Sequence, residues 1–361
     1  MQPVMTQEST TKTRLMTVDI VKGIAILLMV FGHTVQGGLH RHWWEGPFGL
    51  PRKLEFVDAF IYSFHMPAFF VIGGLFLSGS VKRSGRSGVL LTKTKTILYP
   101  YVLWSLIMAF LTPLIARFES SPHVFSWKWL FLNILTGNVS WFLPTFFLCQ
   151  VLALILFPLP LITQMILALA ASMLVPASSV VVFYKPFLFF TFVVAGIWMG
   201  GGRLKLLEQM PKWGSCLLFA LFLMAQLSVV YYFGPVNTYS MFPIGIAGVV
   251  MLFLISHALD ETVLGKVLAW FGEGSLAIFL LAAFGQGFAR EVIFHYLHSI
   301  SPLLQLTLPV ITASVIPILL WQYRDRWKIG WMFRWPDRRD VPSSFLAHTC
   351  DGNQSAGTPS M

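Results

Sequence analysis

An all-α bundle of about ten membrane-crossing helices is the fold class this sequence predicts. Three observations carry that reading. Hydrophobic residues make up 56% of the 361 residues and charged residues only 11%, against about 25% charged in ordinary globular domains. Mean hydropathy is +0.72. Aromatic residues reach 15%, including 13 tryptophans, as suits a chain that meets the membrane–water interface many times.

A helix of roughly 20 apolar residues crosses about 30 Å of hydrocarbon. By that measure the spans fall at 18–39, 57–79, 95–116, 140–158, 161–176, 180–200, 214–233, 240–258, 273–297 and 302–322. The fifth is short, and only Pro158, Leu159 and Pro160 separate it from the fourth. The stretch 126–137, with Trp127, Trp129 and Phe131 near its start, is too short to cross and reads as a helix lying at the interface. Gly196 and Gly200 form a small-xxx-small pair that suits helix packing. Residues 1–17 are polar and lack a small-residue cleavage site after the first apolar run, so an uncleaved cytoplasmic N-terminal segment is expected. The transmembrane domain is expected over 18–322. A basic, aromatic and then disordered cytoplasmic tail is expected over 323–361, its basic part resting on anionic lipid.

Ten spans put both ends on one side. The segments on that side hold 18 of the 25 lysines and arginines and the opposite segments hold 7. The positive-inside rule therefore places both termini in the cytoplasm of an inner-membrane protein. The net charge of +10 does not indicate a nucleic-acid partner, because the cations are scattered through short loops and a tail. Cys149, Cys216 and Cys350 are far apart, the first two in apolar runs, so neither a disulfide framework nor a metal site is indicated. The lipid bilayer is the one partner that composition alone requires.

Ionisable residues inside the spans carry the chemistry. Charges and imidazoles are costly in hydrocarbon and are functional candidates there by default. The run VDIVKGIAILLMVFGHTVQGG (18–38) holds Asp19, Lys22 and His33. At 1.5 Å per residue His33 lies about 22 Å in from one face. His65, in YSFHMPAFFVIGG, lies about 18 Å above that same face, so the two histidines reach nearly one level. Imidazole suits proton abstraction from a hydroxyl at neutral pH, which makes His33 the candidate general base. His65 is the second candidate, with a hydrogen-bonded structural role as the plain alternative. No HExxH or similar ligand spacing occurs, and no metal is expected. Asp19 and Lys22, three apart on a helix, suit an ion pair. Lys22, Arg83, Lys93 and Lys95 either set topology or grip the phosphates of an anionic donor.

The segments DIVKGIAILLMVFGH, FHMPAFFVIGGLFL, KTILYPYVLW, SWFLPTFFL and GEGSLAIFLL occur in that order. Together they resemble the acyltransferase-3 family of integral membrane O-acyltransferases, and more narrowly its fucose-4-O-acetylase-like branch. The resemblance implies a ten-span fold. It also implies transfer of an acyl group, usually acetyl from cytoplasmic acetyl-CoA though succinyl also fits, to a hydroxyl of a cell-envelope or exported carbohydrate, with glycan-assembly proteins as compatible partners. Lys22 and His33 match the family's basic residue and histidine of the first span. Lys95 stands before Pro100 and Tyr101 where the family has a basic residue, and His65 matches its Phe-His-Met-Pro block. The implied transfer needs a donor to the developing oxyanion, for which Tyr62, Asn138, Ser140 and Trp141 are candidates by nearness to span ends. One departure is Phe279-Leu280-Leu281-Ala282, where many members end in histidine. The main alternative to an enzyme is a transporter or flippase for a sugar-lipid or small anion, which a helix broken near Pro67 or Gly73-Gly74 would suit; a structural subunit or sensor of the envelope is a third reading.

Overall fold

The computed structural model describes residues 7–40, 50–115, 127–137, 140–175, 180–200, 202–233, 238–296 and 301–336, and every regular element among them is helical. Helix α1 (Gln7–His40) begins before the first apolar run, so part of the expected N-terminal segment 1–17 belongs to it. The second span is two helices, α2 (Leu50–Tyr62) and α3 (His65–Leu75). Pro67 explains the break: it has no N–H for the Ser63 carbonyl, and its ring crowds that carbonyl. Polar groups freed there find other partners. The Ser63 hydroxyl donates to Phe60 O (2.7 Å), Gln226 Nε2 donates to Ser63 Oγ (3.0 Å), and His65 Nδ1 donates to Ile61 O (2.8 Å).

The segment 80–94, expected as a short loop between the second and third spans, is instead helical almost throughout, in α4 (Leu77–Lys93). Its hydroxyls bond back one turn, Ser84 to Ser80 O and Thr92 to Gly88 O, so they do not compete with the helix. Gly85, at φ 68°, puts the kink in it. A π-helical turn, Thr94–Leu98, leads into α5 (Tyr99–Ile115), with the Tyr99 N–H reaching back to Thr94 O. Pro100 again accounts for the irregularity, since it cannot bond Thr96 O and pushes the preceding turn wide.

Next come α6 (Trp127–Thr136), α7 (Phe142–Leu156), α8 (Leu161–Leu174), α9 (Val181–Gly200) and the short α10 (Leu204–Glu208). The chain continues through α11 (Lys212–Phe233), α12 (Thr238–Leu259), α13 (Val263–Glu273), α14 (Ser275–Tyr296) and α15 (Pro302–Gln322). Among the described residues, 8 helical stretches are long and apolar enough to cross a membrane. The shorter apolar helices α7 and α8 occupy the places of the expected fourth and fifth spans. This is a polytopic all-α membrane bundle. Helix α6 presents Trp127, Phe131 and Leu135 outward, and the Tyr101 hydroxyl donates to Ile134 O (2.7 Å) to hold it.

Helix α1 is central: it packs along α13 and touches α2, α3, α12, α14 and α15. Lipid offers no hydrophobic drive between helices, so close backbone approach must supply the contact. On α9, Gly196 and Gly200 meet the backbone carbonyls of Val71 and Leu75 on α3, where a Cβ would collide. The packed unit also runs past the expected limit at 322. Phe333 is buried, Trp104 Nε1 donates to Met332 O (2.8 Å), and the Trp335 N–H donates to Lys95 O (3.1 Å). The first part of the tail thus closes against α5; residues 337–361 lie outside the described set.

Candidate active site

Lys22 and His33 are eleven residues apart, close to three turns at 3.6 residues per turn, so they share one face of α1. Ile26 and Met29 fall on the same stripe. That stripe lines two cavities stacked along the helix. The lower, about 350 Å³, takes in Asp19, Lys22, Lys93, Thr96 and Gly73. The upper, about 480 Å³, takes in His33, Gln36, Ser140, Trp141, Gln286 and Arg290. Met29, Leu143 and Phe279 line both and form the septum between them. Both volumes lie within the range of small-molecule sites, about 300–1,000 Å³.

Periodicity explains the upper walls. Helix α5 contributes Tyr101, Trp104, Ser105 and Met108, and α14 contributes Phe279, Ala282, Ala283, Gln286 and Arg290. Each set follows the three-and-four spacing of one helical face. Gln286 clasps α14 to α1, its Nε2 donating to Val30 O (2.7 Å) and Thr34 Oγ1 (3.0 Å). Gly37 gives Arg290 its place, because a Cβ at 37 would occupy the space of the guanidinium. In the lower cavity the wide turn at Thr94–Leu98 brings Thr96 and Ile97 to the wall beside Lys93. Asp19 and Lys22 form an ion pair at 2.6 Å.

His33 is exposed to the upper cavity. Its Nδ1 lies 3.3 Å from the Tyr62 oxygen, the Tyr62 hydroxyl donates to Gln36 Oε1 (3.3 Å), and Gln36 Nε2 donates to Asp58 Oδ2 (3.0 Å). Tyr62 also stands edge-on to His65, ring centroids 4.8 Å apart, so the two histidines flank one tyrosine at one level. His65 itself is fully buried and lines neither cavity. Trp141 lies on the upper wall with Lys185 Nζ 3.7 Å over its ring.

The cations expected to meet a donor therefore divide. Lys22 and Lys93 line the lower cavity, whereas Arg83 is exposed on α4 and Lys95 lies in the π-helical turn outside the cavity wall. Of the candidate oxyanion donors, Ser140 and Trp141 line the upper cavity and Tyr62 contacts His33, while Asn138 is outside the described residues. Among the described residues, no group of three or more His, Cys, Asp or Glu side chains could hold a metal ion. Sequence reasoning missed Gln36, Asp58, Gln286 and Arg290. Arg290 and Gln286 carried a signal, being polar residues inside an apolar span; Gln36 and Asp58, near span ends, carried none.

Fold and site together define a helical integral membrane protein whose inward polar residues gather in two cavities meeting at a septum. Its chemistry follows from comparison. Residues 17–331 match the acyltransferase-3 family, described as an acyltransferase domain, and the chain belongs to that family. It is also similar to nodulation protein NolL of Sinorhizobium fredii (strain NBRC 101917 / NGR234), 33% identical over 91 residues. That alignment covers 24% of this chain and 22% of the relative. No solved structure matches.

Proposed function

We propose that this acyltransferase moves an acetyl group from acetyl-CoA, entering through the lower cavity, to a hydroxyl of a carbohydrate held in the upper one. The observation that carries the reading is the pair of cavities on one face of α1, cations in the first and His33 in the second. Lys22 and Lys93 suit the phosphates or the polar arm of the donor. The acetyl thioester reaches the septum at Met29 and Phe279, where His33 takes the acceptor's proton as the new C–O bond forms. Ser140 or Trp141, on the wall of the same cavity, would donate to the oxyanion.

The excess of cations at the end where α1 begins supports that end as cytoplasmic, in an inner membrane, with the donor inside and the carbohydrate outside. The matching segments around Lys22, His33 and Pro67 support the fucose-4-O-acetylase-like branch. The test is mass spectrometry of surface glycans from cells with and without the gene. A difference of one acetyl unit, lost again with His33→Ala, is expected; identical glycans in both would refute the proposal. The break at Pro67 also suits a transporter. A transporter would accumulate substrate without acetyl-CoA, and His33→Ala would leave part of that flux.

A further inference from the structure

We infer that Asp58, Gln36 and Tyr62 form a directional relay that holds His33 in its Nδ1–H tautomer, leaving a bare Nε2 as the proton acceptor. None of the three was singled out as a partner of the base by its sequence context. The Asp58 carboxylate can only accept, so Gln36 must turn its amide nitrogen towards it, at 3.0 Å. That fixes the other end of the amide: Oε1 faces Tyr62, at 3.3 Å. An amide oxygen also only accepts, so the single proton of the Tyr62 hydroxyl points to Gln36. Tyr62 then offers His33 Nδ1 a lone pair across 3.3 Å, and the contact needs a proton on Nδ1. A neutral imidazole protonated there is unprotonated at Nε2.

Helix geometry builds the relay. Asp58 and Tyr62 are four apart on α2, and Gly32 and Gln36 are four apart on α1, so each pair lies along one face. At Gly32 a Cβ would sit 3.1 Å from the Tyr62 ring and 3.4 Å from Asp58 Oδ1, so the glycine admits both side chains. The break after Tyr62 ends α2 at this level. Two of the contacts are long for hydrogen bonds, and catalytic bonds commonly tighten once substrate is bound.

The use made of Nε2 rests on the acyl-transfer reading. As the acceptor oxygen bonds to the thioester carbonyl carbon, its proton passes to Nε2. Collapse breaks the C–S bond, and the same proton goes to the departing thiolate, leaving ester, thiol and neutral His33. While the ring carries two protons, Nδ1–H stays bonded to a chain that ends at a carboxylate. The three residues are thus positioning residues, acting through His33.

The test is the ¹⁵N spectrum of the full chain in lipid nanodiscs, histidine-labelled, at a pH above imidazole titration, with the His33 signals assigned by their loss in His33→Gln. The wild type is expected to show a protonated Nδ1 and a bare Nε2. In Gln36→Leu the Tyr62 proton loses its acceptor and turns to Nδ1, so the ring is expected to switch to Nε2–H. Gln36→Glu sets two carboxylates face to face and is expected to lower kcat at least about tenfold with the KM for acetyl-CoA unchanged. Adding Asp58→Asn to that variant restores a donor opposite the introduced carboxylate and is expected to recover both kcat and the Nδ1–H ring. An Nε2–H ring in the wild type, or an unaltered ring in Gln36→Leu, overturns the relay. An Nδ1–H ring in a protein that transfers no acetyl supports the relay and removes the acyl-transfer reading; an active enzyme with Nε2–H does the reverse.

Discussion

Replacing His33 with alanine takes the imidazole off the wall of the upper cavity. General-base catalysis contributes about 10²–10⁴-fold, so the variant is expected to lose that much acetyl transfer while folding and inserting normally. Lys22→Ala tests the lower cavity. A hydrogen bond to a charged group contributes about 1.5–3 kcal/mol, so the KM for acetyl-CoA is expected to rise roughly 10- to 100-fold with less change in kcat. Gly37→Ala probes the acceptor side. The obstructing atom is the tip of Arg290, which must leave its place on the upper wall, so transfer is expected to fall. His33 and Lys22 were legible in the sequence because each is an ionisable residue in an apolar run. Gln36 was not, because a polar amide near a span end looks like any residue approaching water. Its importance comes from α2, which only the fold brings alongside.

Proline and glycine set the paths of the helices. Pro67 pointed to a break near itself, yet the break falls at Ser63-Phe64, because proline disturbs the turn before it. The segment 80–94 fell between two apolar spans and so read as a loop, but a polar segment does not by itself end a helix; back-bonded hydroxyls and a lone Gly85 left α4 continuous apart from one kink. At the α3–α9 contact, Gly196→Leu forces side-chain atoms into the Val71 backbone. A loss of about 1–3 kcal/mol or more is expected, seen as a lower melting temperature in detergent, with Gly202→Leu, where a Cβ meets nothing but φ is positive, as the strained but uncrowded comparison.

The bundle as a whole was the most legible level, since length and hydropathy of a span follow directly from bilayer thickness. The tail was the least legible. Its basic and aromatic residues suggested lipid contact, but Met332 and Phe333 pack behind Trp104, itself part of the upper cavity wall. Truncation after Gln322 removes that support, leaving the Trp104 N–H without its carbonyl and deleting a buried phenylalanine. An unpaired buried donor costs about 1–3 kcal/mol, so both melting temperature and transfer are expected to fall.

The central claim is that donor and acceptor meet from opposite sides of the membrane at His33. Right-side-out membrane vesicles, loaded with radiolabelled acetyl-CoA and carrying their own glycans, measure this directly. Label is expected on outward-facing carbohydrate with the wild type and none above background with His33→Ala. Equal labelling by both proteins, or label that reaches the outer carbohydrate only when acetyl-CoA is supplied outside, would contradict it.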